Sequence, residues 1–226
     1  MRGLIRPAAR RAVALRWRLV DAVAGARRRT GGGAVALTFD DGPHPGSTDQ
    51  VLDVLAALRV PATFFCVGRN AEQHPALVRR ARSEGHAVGS HSHTHPDPEV
   101  TPLGALAADY ARGHAAVEAA LGEPVTLFRP PRGYLDLRRA AQLRRRGLRP
   151  WLWSVDPRDW HPEADRAGVV AVAGRAGPGD VVLLHDWIEQ PWGVAALDRS
   201  ATITALPEVV AAIRRAGLGF TTLADC

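Results

Sequence analysis

A chain of 226 residues that is 46% apolar and 23% charged has the composition of one folded domain, and no apolar run approaches the roughly 20 residues of a membrane span. The net charge of +6 sits at one end: residues 1–30 hold nine of the 29 basic residues and a single acid, which is +8 and leaves −2 for the rest. A near-neutral body excludes a basic groove for nucleic acid, and two cysteines exclude a disulfide framework.

The first segment, "MRGLIRPAARRAVALRWRLVDAVAGARRRTGGG", is interrupted by Arg16, Arg18 and Asp21 wherever the apolar core of a signal peptide would lie. Val13, Trp17, Val20 and Ala24 fall at helical spacing among arginines. The segment therefore reads either as a solvated basic tail or as a helix lying on an anionic membrane surface. Either reading favours a cytoplasmic or membrane-peripheral location over secretion. Gly31, Gly32 and Gly33 read as a flexible joint, which divides the chain into an arm, 1–33, and a body, 34–226.

From residue 34 onward short apolar runs alternate with amphipathic stretches. Strands are expected at "AVALTF" (34), "ATFFCVG" (62), "AVGSH" (87), "TLFRP" (126), "PWLWSV" (150), "DVVLLH" (180) and "FTTL" (220). Helices are expected at 48–58, 74–84, 103–121, 137–146, 163–174 and 205–216. This rhythm predicts an α/β fold, a distorted and incomplete (β/α) barrel of about seven parallel strands, with an open doubly wound sheet as the alternative. Cys66, inside the second run, reads as a small core residue.

In either architecture the chemistry gathers at the carboxyl ends of the strands. Those ends carry Asp40 and Asp41, then His91, His93 and His95, then Arg129, then Asp156 and Asp159, then His185 and Asp186. His91 and His95 share an H-x-x-x-H spacing, and two imidazoles with one of the neighbouring carboxylates would suit zinc or a similar divalent ion with an open position. A metal accounts for two adjacent like charges: one carboxylate ligates while its neighbour stays free as a base. His185, oriented by Asp156 or Asp159, is the candidate acid, and Arg129 is placed to hold a base ionised through a bidentate pair.

In this order the segments "TFDDGP" (38–43), "HSHTH" (91–95), "RPPRG" (129–133), "DPRDW" (156–160) and "LLH" (183–185) resemble the polysaccharide deacetylases of the NodB-homology type, carbohydrate esterase family four. The resemblance implies Asp40 as general base, Asp41, His91 and His95 as ligands of one divalent ion, zinc before cobalt, and Arg129 as the residue that tunes Asp40. It implies His185 as general acid paired with Asp159, an oxyanion contact from the peptide N–H of Arg132, and Leu183 with Trp160 as walls around an acetyl methyl.

The implied reaction hydrolyses the N-acetyl group of an N-acetylglucosamine-type sugar in a glycan or glycoconjugate, releasing acetate, and the enzyme is expected to be a monomer. A deacetylase of a small amino-sugar metabolite, an amidase on the same scaffold, and a non-catalytic carbohydrate-binding homologue are the alternatives. Two positions depart from the family pattern: Arg132 stands where many relatives have Tyr, and His93, between the ligands, is expected to be a solvent-facing spectator, with competition for the metal as the alternative. The loop "WIEQPWG" (187–193) reads equally as a lid or a platform.

Overall fold

In the computed structural model, which describes residues 20–226, six short parallel strands form one sheet in the order β5-β4-β3-β2-β1-β6. They are β1 Ala36–Asp40, β2 Thr63–Cys66, β3 Ala87–Ser90, β4 Leu127–Phe128, β5 Arg149–Pro150 and β6 Val181–His185. β1, β2 and β3 are buried along their whole length, and only His185 at the end of β6 is partly exposed. That is why these strands read as unbroken apolar runs rather than as an in/out alternation.

Two of the seven expected strands differ. "FTTL" contributes only an isolated bridge, Val35 to Phe220, and the strand expected at "PWLWSV" pairs with β4 only through Arg149 and Pro150 before the chain leaves the ladder. Its continuation crosses to the opposite edge, where Val155 bridges Val182 of β6. This bridge, with those of Arg27 to Trp151 and Arg29 to Asp180, links the two ends of the curled sheet, in keeping with an incomplete barrel.

The helices are α1 Thr48–Leu58, α2 Gly68–Gln73, α3 Pro75–Ser83, α4 Leu103–Leu121, α5 Leu137–Arg145, α6 Arg166–Ala173 and α7 Ser200–Arg215. At six residues α2 is too short to show a period, so sequence pattern misses it. α7 starts five residues before its expected start because Pro207, which reads as a first-turn residue, lies inside the helix. The main core packs α1 and α7 on the sheet through Leu52, Leu55, Val209 and Ile213, with Phe39 stacked on Phe64 at 5.2 Å.

Residues 20–30, allotted on sequence to the arm, pack on the body. Residues 20–24 are helical, and Val20 and Ala24 lie in a second core with Leu106, Tyr110, Phe128 and Leu143. The Arg27 N–H donates to Pro150 O at 3.0 Å and its carbonyl accepts from Leu152 N at 2.7 Å. Half of the apolar stripe expected to meet a membrane is therefore taken up by the core, while Val13 and Trp17 lie outside the described residues. No helix among the described residues is long and apolar enough to cross a membrane.

Candidate active site

The β1–β6 ladder sets Asp40 opposite His185. The chain then leaves the strand at once, because Asp41 adopts φ 78°, and the two carboxylates turn to different partners. Asp40 Oδ1 accepts from Arg129 Nη1 at 2.7 Å. The guanidinium is wholly buried and donates also to Thr38 Oγ1, Trp151 O and Leu152 O, with the Phe65 ring 4.2 Å away.

The contact is therefore a single hydrogen bond rather than the expected bidentate pair, because backbone carbonyls take the other N–H groups. Nor does Arg129 depress the Asp40 pKa overall: burial raises it above the ordinary carboxylate value, and the arginine only moderates that rise.

Asp41 faces the histidines. Its Oδ1 lies 3.4 Å from His91 Nε2 and 3.6 Å from His95 Nε2, and the donor atoms of the three buried residues lie within 4.8 Å of one another. Asp41 Oδ2 accepts from Glu189 N at 3.0 Å, while the buried Oδ1 has no hydrogen-bond partner. His91 Nδ1 donates to the Arg129 carbonyl at 2.7 Å, which leaves the lone pair on Nε2, and burial beside the His95 ring lowers the imidazole to about 3. A neutral imidazole with its free nitrogen directed at an unpaired buried carboxylate oxygen fits a divalent cation, as expected of the set Asp41, His91 and His95.

The loop carrying the histidines is held from below. Gly68 N and Arg69 N at the start of α2 donate to Ser92 O and His93 O, and Asp109 on α4 accepts from His93 N and from the Thr94 hydroxyl. Ser92 and His95 both take left-handed φ, 69° and 52°, and Ser92 Oγ accepts from His95 N. His93 is not solvent-facing: it is 3% exposed, stands apart from the cation site, and packs over Gly68.

His185 Nδ1 donates to Asp159 Oδ1 at 2.8 Å, and its peptide N–H donates to Asp159 Oδ2 at 2.9 Å. The Thr202 hydroxyl also donates to Oδ2. Burial alone would lower the imidazole, but Asp159, by charge and hydrogen bond, and then Asp41 and Asp40, outweigh it and raise His185 to about 9. Burial likewise opposes ionisation of Asp159, yet His185 and Arg199 hold its pKa below the ordinary value. Of the two aspartates open on sequence, Asp159 makes the pair, while Asp156 accepts from Arg158 N and lines the cavity.

Asp40, Asp41, His91, His95, Asp156 and His185 line one cavity of about 340 Å³, together with Leu183, Trp160, Arg132, Trp153, Ile188, Gln190 and Trp192. Leu183 and Trp160 both line this cavity. Arg132 has φ 57° on the tight turn Pro131–Gly133, and its side chain pairs with Asp97 at 2.8 Å across the rim. The 187–193 loop is strapped to the cation site: Gln190 Nε2 donates to His95 O, and Asn70 Nδ2 donates both to Glu189 and to Asp41 O. Trp187 stacks on His44 at 3.6 Å, while Trp192 is 73% exposed beside Trp160.

Asn70 and Glu189 are absent from the sequence-derived site, and Asp186 stands there at its strand end without a role. Only Asp186 had a signal, its place after His185. It is buried, accepts from Thr48 Oγ1 and Gly42 N, and is raised to about 7 by burial, so it fastens the turn after Asp41.

A family model described as polysaccharide deacetylase matches residues 27–151. The chain is 38% identical over 192 residues to a chitooligosaccharide deacetylase of Rhizobium leguminosarum bv. trifolii, covering 84% of this chain and 89% of that one. It is 35% identical over 193 residues to a peptidoglycan-N-acetylglucosamine deacetylase of Bacillus cereus, covering 84% and 86%. A family 4 carbohydrate esterase from Streptomyces lividans, solved with acetate, superposes with a TM-score of 0.72 at 34% identity over 83% of this chain and 91% of that one.

Proposed function

Because this chain belongs to the polysaccharide deacetylases of carbohydrate esterase family four, we propose that it hydrolyses the N-acetyl group of N-acetylglucosamine-type sugars in a glycan or glycoconjugate. Water and the amide are converted to acetate and a free amine. The observation that carries this reading is the division within the aspartate doublet: Asp41 faces His91 and His95, while Asp40 faces Arg129, in the cavity that also holds His185.

A divalent ion held by Asp41, His91 and His95, zinc by the preference of two imidazoles and a carboxylate, would supply Lewis acidity toward water and toward the amide carbonyl. Asp40 takes the proton of the attacking water. Its raised pKa makes it a stronger base than an ordinary aspartate, and Arg129 keeps it from swinging away. The peptide N–H of Arg132 is assigned to the carbonyl oxygen as negative charge develops there. His185, charged below about pH 9, gives its proton to the departing nitrogen, and Asp159 fixes the tautomer and orientation that make this possible. Leu183 and Trp160 supply apolar wall for the acetyl methyl.

Two observations favour a sugar substituent over a heterocyclic amide: the curated relatives at 35–38% identity are glycan deacetylases, and Trp160, Trp153 and Trp192 offer aromatic surface around the cavity. A non-catalytic homologue has no need of the Asp159–His185 pair. The test is acetate release from N-acetylated chito-oligosaccharides. It should be lost with a strong chelator and restored by zinc, and activity indifferent to chelation would contradict the mechanism.

A further inference from the structure

The body is close to neutral, yet its arginines are not evenly spread. Residues 137–150, "LRRAAQLRRRGLRP", hold six arginines and no acid. Arg139 is engaged with Asp136, whereas Arg138, Arg144, Arg145, Arg146 and Arg149 are exposed and form no ion pair among the described residues.

On α5 the buried positions are Ala140 and Leu143, so Arg138 and Arg145, two turns apart, share the opposite, outward side. Apolar side chains stand exposed beside them: Leu137 at the start of α5 is 50% exposed, Leu103 at the start of α4 36%, and Val100 in the preceding loop 79%. The Gln142 amide on α5 donates to Leu103 O, and Arg139 donates to Pro98 O, which binds that loop to the helix. The same loop supplies Asp97, the partner of Arg132 at the cavity rim.

We propose that the outward face of α5 and the turn after it, with Val100, Leu103 and Leu137, is a docking surface for an anionic lipid bilayer. Two features select a bilayer over an acidic polymer. Exposed Val and Leu among arginines gain by entering the headgroup boundary and gain nothing from a polyanion in water. In addition, residues 1–19 carry six arginines and no acid, and they join the body at Val20, which belongs to the same buried cluster as Leu106 of α4 and Ala140 of α5. Docked through this face, the enzyme presents the Arg132 rim of its cavity close to the membrane, whatever acetylated sugar it takes.

The test is co-sedimentation of the full-length chain with phosphatidylcholine vesicles containing or lacking phosphatidylglycerol, at about 0.1 M salt, where the screening length is about 10 Å. The chain should pellet with the anionic vesicles. The triple substitution Arg138→Gln/Arg145→Gln/Arg146→Gln should weaken that binding about 100-fold, at roughly fivefold per cationic residue, and should leave acetate release from a soluble chito-oligosaccharide unchanged. Val100→Ser/Leu137→Ser should remove the fraction of binding that survives raised salt. Undiminished binding by the triple variant would assign the contact to residues 1–19 alone and overturn the proposal. So would failure of the unaltered chain to pellet, or indifference of the salt-resistant fraction to Val100→Ser/Leu137→Ser, the outcome expected of a purely electrostatic polyanion site.

Discussion

At the scale of single residues, adjacency in sequence gives Asp40 and Asp41 unlike environments. Asp40 ends a fully buried strand with its carboxylate on a buried arginine, whereas Asp41 already has left-handed φ and turns to the histidines. Asp40→Asn should lower turnover by about 10²- to 10⁴-fold, the usual contribution of a general base, with zinc content in the isolated protein unchanged. His95→Ala should lower zinc content itself, and equal zinc loss in both variants would contradict the division of roles. His185 supplies a pH prediction whose sign follows from its charge state. As a proton donor it is competent below its pKa, so activity falls as pH rises through about 9. In Asp159→Asn the attraction that opposes burial is gone, so the alkaline limb of kcat should move to lower pH. An unmoved limb would assign that proton to another group. The identities of these residues were legible in the sequence because strand ends carry them. The net rise of the Asp40 pKa was not, because the desolvation that dominates it comes from the whole sheet around it.

At the scale of elements, the ligand loop depends on two helices whose role has little trace in composition. A Cβ added to Gly113, midway along α4, would meet the Ser92 carbonyl carbon at 2.1 Å, and one added to Gly68 would meet Gly113 Cα at 2.7 Å. These glycines let α2 and α4 approach closely enough for the α2 amides and Asp109 to grip the loop that carries His91 and His95. Gly113→Ala should therefore cost about 1–3 kcal/mol in thermal or denaturant unfolding, as overpacking does, and weaken zinc binding about 10- to 100-fold by shifting the loop. A variant with normal zinc affinity would show that the loop holds its geometry without this contact. Helix positions emerge from the 3.6-residue period with errors of a few residues, but α2 and the strapping of the 187–193 loop do not. A six-residue helix has no measurable period, and Asn70 on that helix and Glu189 and Gln190 on the 187–193 loop meet at the site only once the chain has folded.

At the scale of the whole molecule, charge and composition set a near-neutral body against a basic end, but the glycine triplet at 31–33 is not where packing begins. Val20 and Ala24 sit in the second core, and the backbone at Arg27 pairs with the strand β5 segment. Removing residues 1–30 should cost at least about 2 kcal/mol more than removing residues 1–19, the value of burying one valine plus the lost pairing. Equal stability of the two truncations would place the packing boundary after residue 30. The curl of the sheet, whose two edges are linked by the Val155–Val182 bridge and by the Arg27 and Arg29 bridges to Trp151 and Asp180, gathers groups from five strand ends into one cavity, and the deacetylase reading stands on that convergence. Its most direct test is acetate release from N-acetylated chito-oligosaccharides by the zinc-loaded enzyme and by its Asp40→Asn variant of equal zinc content. The account predicts release by the first and a loss of at least about 10²-fold in the second. Comparable release by both, or none by the zinc-loaded enzyme on any N-acetylated sugar, would contradict it.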